Sequence, residues 1–560
     1  MGTVPVYELQ GLSEEKSWDL FQMVAFEPGQ AQKKPRFMVA GKEIVKKCAN
    51  VPLAIRVVGS LLYGENESKW LSFMDRSLAN LSDSENNGVI DILKLSYQHL
   101  QSPLKNCFAY CSLFPKDYEF DKETLISLWM AEGFIIPINH GDQNISSCKM
   151  HDLMHDLAIQ VAGVNCKVAK FGESNSNTGI HHVSFAYRLT SSWKIPSWML
   201  NLKCLRTFLL PEQLNDGPSI NKSTCQEWIS SLGCLRVLDL HNLQVKSVPS
   251  SIGKLIHLRY LNLSHTPIRE LPDSITDLLN LQTLDLYNCS NLQTLPKNMR
   301  KLTNLRSLDV DECGWILHMP SGLGELTSLY NLPRFTVNHS PSSSKLSELK
   351  NLNNLKGALH IQIYGNLNVP LLEETEANLE GKHGLTKLHI QFDIYTVSDH
   401  DEAVLEELKP HPNIRALQIH IYKGQKLPNW AMMGNLCINL PNLVEIQLWY
   451  CEKCQQVPPF GQLPFLKRLN LSILESVEYM EMDSSVYDDT LSSAEIPFFP
   501  SLQELTLKYM DNLKGWWKEA IVNNDTQEPA HVSMKQQRLL ANMSFSNLSK
   551  LEKGNINDSF

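Results

Sequence analysis

Two histidines lie four residues apart in the segment KMHDLMHDLA, residues 149–158, and an aspartate follows each of them. Positions i and i+4 of a helix share one face, so His151 and His155 could bind one metal ion or move a proton on one substrate. The H-E-x-x-H signature of zinc proteases has this spacing. Here the acid is Asp152, which is one methylene shorter than glutamate, and no third ligand follows at a recognisable distance. We predict no metal site here.

Cysteine pairs could in principle support thiol or zinc chemistry. Cys451 and Cys454 form a C-x-x-C pair, but no second pair follows at the spacing that a four-ligand zinc site needs. Cys107 and Cys111 lie one helical turn apart. Buried free cysteine behaves as a small hydrophobe, so we predict that this second pair belongs to a packed apolar face.

The elements that carry these residues are helical at the front of the chain. An apolar stripe with helical spacing runs through the histidine segment and leaves both histidines on its flanks; its members are Met150, Leu153, Met154, Leu157, Ala158 and Val161. Upstream, SPLKNCFAYCSLFP predicts a helix with Ser102 as N-cap and Pro103 at the first helical position. ETLISLWMAEGF predicts another helix, which ends at Gly133.

A repeat occupies the larger part of the chain. LRVLDL begins at Leu235, LRYLNL at Leu258, LQTLDL at Leu281 and LRSLDV at Leu305, with spacings of 23, 23 and 24 residues. The same frame returns near Leu443, Leu466 and Leu502, and weaker copies occur near Leu205, Leu329, Leu388 and Ile414. This period is typical of leucine-rich repeats.

Alternation within each L-x-x-L-x-L frame predicts one parallel strand per repeat. The leucines point into a shared core, and the residues between them point outward along the sheet. Cys289, Cys313 and Cys451 occupy the asparagine or cysteine position that closes the strand. The x-L-P segment then ends the extended stretch.

Composition excludes several classes of function. The 560 residues are 43% hydrophobic with a net charge of −9, which argues against a nucleic-acid-binding surface. No apolar run approaches the ~18 residues needed to cross a bilayer. The N-terminus lacks the basic and apolar regions of a secretory signal, and the 13 scattered cysteines fit a reducing compartment. We predict a cytoplasmic protein without a membrane span and without nucleic-acid partners.

Several motifs, in this order, resemble plant NB-ARC leucine-rich-repeat disease resistance proteins of the coiled-coil class. KKCANVPLAIRVVGSLL (46–62) resembles the family's G-L-P-L motif, and CFAYCSLFPKDYEF (107–120) with LISLWMAEGFI (125–135) resembles its winged-helix region. M-H-D at 150–152 matches a further motif, and LPRFTV (332–337) is often found within the family's repeats. The resemblance covers nearly the whole chain.

The resemblance implies a nucleotide-controlled switch. In the family, the M-H-D histidine contacts the diphosphate of ADP and the G-L-P-L proline lies against the adenine, which correspond here to His151 and Pro52. The chain contains no G-x-x-x-x-G-K-[ST] loop and no strand ending in paired acids. The family's ADP or ATP is therefore expected to bind this chain only weakly, and we predict no enzyme activity. The missing motifs imply a family member truncated at its N-terminus.

The predicted fold is α plus an α/β solenoid: a helical and winged-helix-like ARC remnant followed by a leucine-rich-repeat horseshoe. We expect an ARC1-like helical domain at 1–80 and a winged-helix ARC2 domain at 81–165. A linker at 166–182 precedes repeats at 183–560. Only 14 residues separate Ile135 from Met150, which predicts an incomplete winged-helix subdomain.

The predicted function is that of an intracellular immune-receptor fragment whose repeats bind a pathogen effector or a guarded host protein. A further expected partner is the missing N-terminal half or a related receptor chain. The outward strand positions would make the contact: Tyr260, Asn262, Thr283, Asp285, Tyr287, Ser307, Asp309 and Trp449. Aromatic residues favour such a role, since Tyr and Trp dominate interface hot spots. The alternative is a non-signalling adapter, decoy or pseudogene product that only binds proteins.

Overall fold

The computed structural model describes most of the chain, namely residues 11–27, 35–73, 87–136, 146–173, 177–191, 193–213, 217–338, 340–365, 376–395, 400–432, 434–481, 499–517 and 550–556. The chain divides into two compact units. The first unit is Met1–Arg188 with Pro196–Glu212, and the second is Leu189–Ile195 with Gln213–Phe560. The predicted boundary between residues 80 and 81 lies outside the described residues.

Helices build most of the first unit. They are α1 Glu14–Ala25, α2 Pro35–Lys47, α3 Pro52–Leu62, α4 Glu67–Ser72, α5 Asn87–His99, α6 Ser102–Tyr110, α7 Lys122–Glu132, α8 Asp152–Ala162 and α9 Ser197–Leu200. α1 begins where the side chain of Ser13 accepts the backbone N–H of Lys16, which satisfies one of the free donors of a helix start. α7 ends at Gly133, whose φ of 79° is the left-handed conformation that glycine adopts without steric cost.

The hydrophobic core of the first helices contains a group of packed aromatic side chains. Phe21 of α1 packs edge-on against Trp70 of α4, with ring centroids 5.7 Å apart. Trp70 is buried and donates its indole N–H to the carbonyl of Leu62 at 3.1 Å. Leu157 of α8 belongs to the same cluster of buried side chains. The helix that follows the M-H-D motif thus shares one hydrophobic core with the helices of the G-L-P-L segment, and it packs against α5 and α6.

The winged-helix segment contains a short antiparallel pair. Strand β1 (Glu119–Asp121) pairs with β2 (Ser147–Lys149). The prediction of an incomplete subdomain assumed that a strand was missing, and β2 supplies one just before the M-H-D motif. The N-cap of α6 is Gln101 rather than Ser102, because the helix begins one residue earlier than the Ser-Pro pair indicates.

Three parallel strands complete the first unit: β3 Cys166–Val168, β4 His182–Ser184 and β5 Thr207–Leu209. β4 pairs with both of the others. The predicted linker at 166–182 therefore begins and ends in paired strands, which corrects that assignment. The L-x-x-L-x-L frame did not reveal β3 and β4 because neither strand carries its leucines.

The second unit contains two parallel sheets. In the first of these sheets, the four early copies of the L-x-x-L-x-L frame form the strands β7 Val237–Asp239, β9 Tyr260–Asn262, β10 Thr283–Asp285 and β11 Ser307–Asp309. The later sheet contains, in spatial order, β12 Arg334–Val337, β13 Lys356–Ile363, β14 Gly384–Gln391, β15 Ala416–His420, β16 Glu445–Trp449, β17 Arg468–Ser472, β19 Glu504–Met510 and β21 Lys550–Ile556. Equivalent residues of the frame are paired in register, as the repeat predicts.

Smaller elements of this unit connect the strands or lie beside them. These are β6 Ser219–Ile220, β8 Gln244–Val245, β18 Tyr479–Glu481, β20 Gly515–Trp517, α10 Lys222–Ser231, α11 Asp401–Glu407 and α12 Asn435–Asn439. In the early repeats a 3-10 turn fills this role, as at Ser250–Lys254 and Asp273–Asp277.

The frame leucines form the core of the second unit. Leu235, Leu258, Leu281 and Leu305 are all fully buried, and each contributes about 1.5–3 kcal/mol by leaving water. Cysteines close several strands as predicted. The thiol of Cys289 donates to the carbonyl of Leu263, one repeat earlier, at 3.1 Å. In the part of the chain that the structure describes, no helix is long and apolar enough to span a bilayer.

Candidate functional site

The two histidines of the opening segment have different environments. His151 is the N-cap of α8 and has an extended backbone, and its Nδ1 accepts the N–H of Leu153 at 3.2 Å. His155 lies inside the helix and is only 5% exposed. Its Nε2 donates to the carbonyl of Phe114 at 2.7 Å. Because His151 precedes the helix, the two rings do not share a helical face.

The placement of His155 on the flank of the apolar stripe is therefore wrong. The buried residues of α8 are His155, Leu157, Ala158 and Ala162. The predicted stripe includes Met150, which precedes the helix and therefore does not share its helical face. A histidine can replace an apolar residue in a core when one ring nitrogen finds a partner, and here the carbonyl of Phe114 is that partner.

Pro52 and His151 both lie exposed at the N-terminal ends of helices. Pro52 is the first residue of α3, and His151 is the cap of α8. Because Nδ1 of His151 accepts a backbone N–H, its Nε2 carries the proton and can donate to a phosphate oxygen. A cavity of about 240 Å³ near Phe26 and Trp70 is lined by neither residue.

Both cysteine pairs lie in cores. Cys107 is 3% and Cys111 is 4% exposed, as predicted for a packed apolar face. Cys451 and Cys454 are fully buried, and desolvation raises the pKa of Cys454 to about 12. These thiols stay protonated at neutral pH, and the thiolate is the form that binds metals and attacks disulfides.

The outward positions of the early strands are largely covered by their neighbours. Tyr260, Thr283 and Ser307 are 4%, 8% and 7% exposed. They form one row across β9, β10 and β11. Little of their surface is free to contact a partner, because small spacing between adjacent strands lets neighbouring side chains cover one another.

The polar row beside them closes each strand. Asn262 accepts the N–H of Ser264 at 2.9 Å, Asp285 that of Tyr287 at 3.0 Å, and Asp309 that of Asp311 at 2.9 Å. These are Asx turns, which account for Asn or Asp at this position. Burial raises the pKa of Asp285 to about 7, and the nearby carboxylates of Asp309 and Asp239 add to the shift.

Tyr287 and Trp449 are the exposed members of the predicted set, at 38% and 39%. Both occupy the same position of the repeat, immediately before a residue with left-handed backbone, Asn288 or Tyr450. Trp449 ends β16, and its ring contacts those of His420 and Tyr450 at 5.5 and 5.7 Å. Within the predicted set, these two aromatic residues have the most accessible side chains.

A row of histidines on the later sheet was not among the predicted residues. His360 of β13 stacks on His389 of β14, with ring centroids 3.8 Å apart and planes 8° from parallel. Nε2 of His389 lies 2.9 Å from Nδ1 of His420 on β15. The signal was present in the outward positions of ALHIQI, KLHIQF and ALQIH. Aligning the segments brings His360 and His389 to one position, whereas His420 lies two residues beyond it.

The three rings are held neutral by their surroundings. Desolvation and the Arg334 guanidinium on β12 together lower the pKa of His360 to about 4. Desolvation and the two neighbouring imidazoles lower the pKa of His389 to about 2. Desolvation lowers that of His420 to about 4. We call His360, His389 and His420 the histidine row.

The sequence comparisons agree with this architecture. Residues 219–557 match the family described as Leucine-rich repeat region, and residues 113–145 match the Disease resistance protein Winged helix domain. The chain belongs to the plant disease resistance proteins with leucine-rich repeats.

Several curated disease resistance proteins are similar to this chain over most of its length. Disease resistance protein RGA2 of Solanum bulbocastanum is 38% identical over 93% of this chain and 52% of its own length. RGA1 of the same plant is 35% identical over 92% and 51%. RPP13-like protein 1 of Arabidopsis thaliana is 31% identical over 92% and 51%. The chain therefore spans about half the length of the curated relatives it matches. The disease resistance proteins are a receptor family and not an enzyme family.

Proposed function

We propose that this chain serves in plant immunity as an intracellular, cytoplasmic receptor segment whose repeats bind a pathogen effector or a guarded host protein. The observation that carries the proposal is the accessibility of Tyr287 and Trp449 at one position of the repeat. Most other outward side chains around Tyr287 are covered by their neighbours. An exposed aromatic ring on a rigid sheet is the kind of residue that dominates protein interfaces.

The test is site-specific photo-crosslinking in leaf tissue. Benzoylphenylalanine placed at Tyr287 or Trp449 in the full chain is expected to crosslink one common protein. Leu279 is the control position, because it is 55% exposed but belongs to no strand. Substituting Trp449→Ala is expected to weaken capture of the same protein by about tenfold, the usual scale of a hot-spot residue. Equal crosslinking from Leu279 would refute the proposal.

We also propose that Pro52 and His151 are the adenine and phosphate contacts of a nucleotide module in the family. Their fit to ADP rests on the exposed side chain of His151, whose Nε2–H is available as a donor, and on the exposed ring of Pro52. His151 would donate one hydrogen bond to the phosphates of ADP, and Pro52 would make one apolar contact with its adenine. The printed sequence contains no phosphate-binding glycine loop, and such a loop supplies most of the donors in phosphate sites.

Calorimetry with ADP tests how much affinity remains. We expect the purified chain to bind ADP more weakly than about 100 μM, since one N–H donor and one ring contact supply only a few kcal/mol. ATP hydrolysis is expected to stay at the buffer rate. Sub-micromolar binding of ADP would contradict this expectation and would require further donors near His151.

The second candidate function is a binding-only adapter or decoy, which the exposed rings of Tyr287 and Trp449 would serve equally well. The two candidates separate in a leaf assay. A signalling receptor segment causes a cell-death response when it meets its crosslinked partner and the related receptor chain. An adapter or decoy binds the same partner and suppresses that response.

A further inference from the structure

One backbone position is left-handed in repeat after repeat of the second unit. In the early repeats it holds polar residues, which are Asn242 (φ 57°), His265 (φ 55°), Asn288 (φ 51°) and Glu312 (φ 58°). In the later repeats it holds apolar and aromatic residues, which are Ile421 (φ 61°), Tyr450 (φ 61°), Ile473 (φ 60°) and Tyr509 (φ 54°). Asparagine tolerates this conformation, whereas a β-branched or bulky residue there is an outlier.

Hydrogen bonds hold this conformation in place. Ile421 donates its N–H to the carbonyl of Trp449 at 2.8 Å, and Tyr450 donates to Ser472 at 3.0 Å. Ile473 donates to Lys508 at 2.9 Å. A non-glycine residue in this region costs about 1–2 kcal/mol. The later repeats therefore keep unfavourable side chains at a position where asparagine would fit.

Burial does not compensate for this cost along most of the row. Ile421 is 6% exposed and belongs to the core, but Tyr509 is 51% exposed and Ile473 is partly exposed. Trp449, next to Tyr450, is 39% exposed. Residues that break a local rule without a packing gain are expected where function requires them. We call Trp449, Tyr450, Ile473 and Tyr509 the ledge.

A charged cavity lies at one end of the ledge. It has a volume of about 130 Å³ and is lined by Tyr422, Lys423, Tyr450, Glu452 and Lys453. The negative charge of the Glu452 carboxylate raises the pKa of the neighbouring Tyr450 hydroxyl. The ammonium of Lys453 forms no ion pair with any residue that the structure describes. The ammonium of Lys423 already donates to the carbonyls of Asp393 and Ile394 at 2.9 and 3.1 Å. The positive charge of Lys453 is therefore the group in this cavity that suits an acidic side chain.

The distance between successive ledge residues fits the repeat of a bound α-helix better than that of a bound extended peptide. Tyr450 directly follows β16, Ile473 directly follows β17, and Tyr509 occupies the equivalent position near the end of β19. Adjacent strands lie about 4.8 Å apart, so the ledge extends over roughly 10 Å. Two turns of an α-helix cover about 11 Å. Two same-face steps of an extended peptide cover about 13 Å. The helix mismatch of about 1 Å is within the reach of a side chain.

We propose that the ledge is a docking site for one amphipathic α-helix of a protein partner, with its apolar face on Trp449, Ile473 and Tyr509 and a flanking carboxylate at Lys453. The proposal rests on the proposed function, because it assumes that the repeats bind a protein. It adds the secondary structure and the charge of the bound segment.

Peptide binding to the full chain tests the geometry. The probe is a labelled peptide of about 18 residues with leucine at i, i+3, i+7 and i+11 and glutamate on the flanks, a length that can form a helix in water. One control has the same composition with leucine at alternate positions, and another has lysine in place of glutamate. Fluorescence anisotropy is expected to show at least about tenfold tighter binding of the helical glutamate peptide than of either control.

Two variants test the ledge without disturbing the fold. Ile473→Asn places at this position the residue that the early repeats carry there, so the melting temperature is expected to stay equal or to rise. Tyr509→Ser removes an exposed ring. Each is expected to weaken binding of the helical peptide by about tenfold. Glu312→Asn, a matched change at the same position of an early repeat, is expected to leave binding unchanged.

The outcomes separate the two proposals. Absence of peptide binding, equal binding of all three peptides, or binding insensitive to Ile473→Asn and Tyr509→Ser overturns the ledge. If the photo-crosslinked partner is nevertheless lost with Tyr287→Ala and retained with Tyr509→Ser, the proposed function stands and only the ledge fails. If crosslinking at Tyr287 and Trp449 captures no protein while the peptide binds the ledge specifically, the ledge stands and the proposed function fails.

Discussion

Acidification from pH 6.5 to pH 4 is expected to destabilise the second unit through the histidine row. Burial keeps the pKa values of His360 and His420 near 4 and that of His389 near 2, whereas an unfolded histidine has a pKa near 6.5. Below pH 6.5 the unfolded chain binds protons that the folded chain does not. Stability is therefore complete above pH 6.5 and is lost as the pH falls toward 4.

The expected loss is on the order of 3 kcal/mol. Each unit of pKa difference corresponds to about 1.4 kcal/mol, but the three rings are partly open to solvent, which screens their charges and reduces the effect. The histidine row faces one charged group, the guanidinium of Arg334, on the neighbouring strand β12. The other groups that face it are neutral, namely the imidazoles of the row itself and the side chains of Gln391, Gln418 and Trp449. No carboxylate stands opposite these rings in the described strands to offset the charge.

Urea denaturation at pH 6.5, 5.5 and 4.5 measures this loss, and His389→Gln provides the matched control. Glutamine already occupies the position paired with His389 on the neighbouring strand β15, Gln418, so the variant is expected to fold. It is expected to lose less stability on acidification than the wild-type chain. Asp285 acts in the opposite direction, because its raised pKa of about 7 adds stability on protonation, and the comparison with His389→Gln cancels that contribution. Identical pH profiles for the two chains would contradict the assignment.

His155→Ala is expected to destabilise the first unit by about 2–4 kcal/mol. The substitution removes the donor to the carbonyl of Phe114 at 2.7 Å, and a buried carbonyl without its partner costs about 1–3 kcal/mol. The lost ring volume leaves a cavity that adds to the loss. Thermal denaturation followed by circular dichroism measures the shift.

Two companion variants give this experiment its control. His151→Ala removes an exposed cap, and we expect it to cost less than about 1 kcal/mol. His155→Gln keeps an N–H donor within reach of Phe114 and is expected to retain part of the stability. If His151→Ala and His155→Ala cost the same, the roles of the two histidines in the M-H-D segment have been exchanged.

Alternation and periodicity in the sequence determined most of the fold. The repeated leucine frames predicted one parallel strand each, and the structure has β7, β9, β10 and β11 there. These frames begin at Leu235, Leu258, Leu281 and Leu305. Gly133 predicted the end of α7. Local rules sufficed in these cases, because side-chain direction along a strand and left-handed termination of a helix depend on neighbouring residues alone.

Tertiary structure decided which polar side chains are buried and which are accessible. His155 is buried because α8 packs against the segment that contains Phe114, 41 residues earlier. Tyr260 is covered while Tyr287 is exposed, although both are outward residues of the same frame. His360 and His389 meet because β13 and β14 pair in register across 29 residues of chain. Such contacts are set by the register and packing of distant segments, and no local pattern encodes them, because free energy depends on the neighbours in space rather than in sequence.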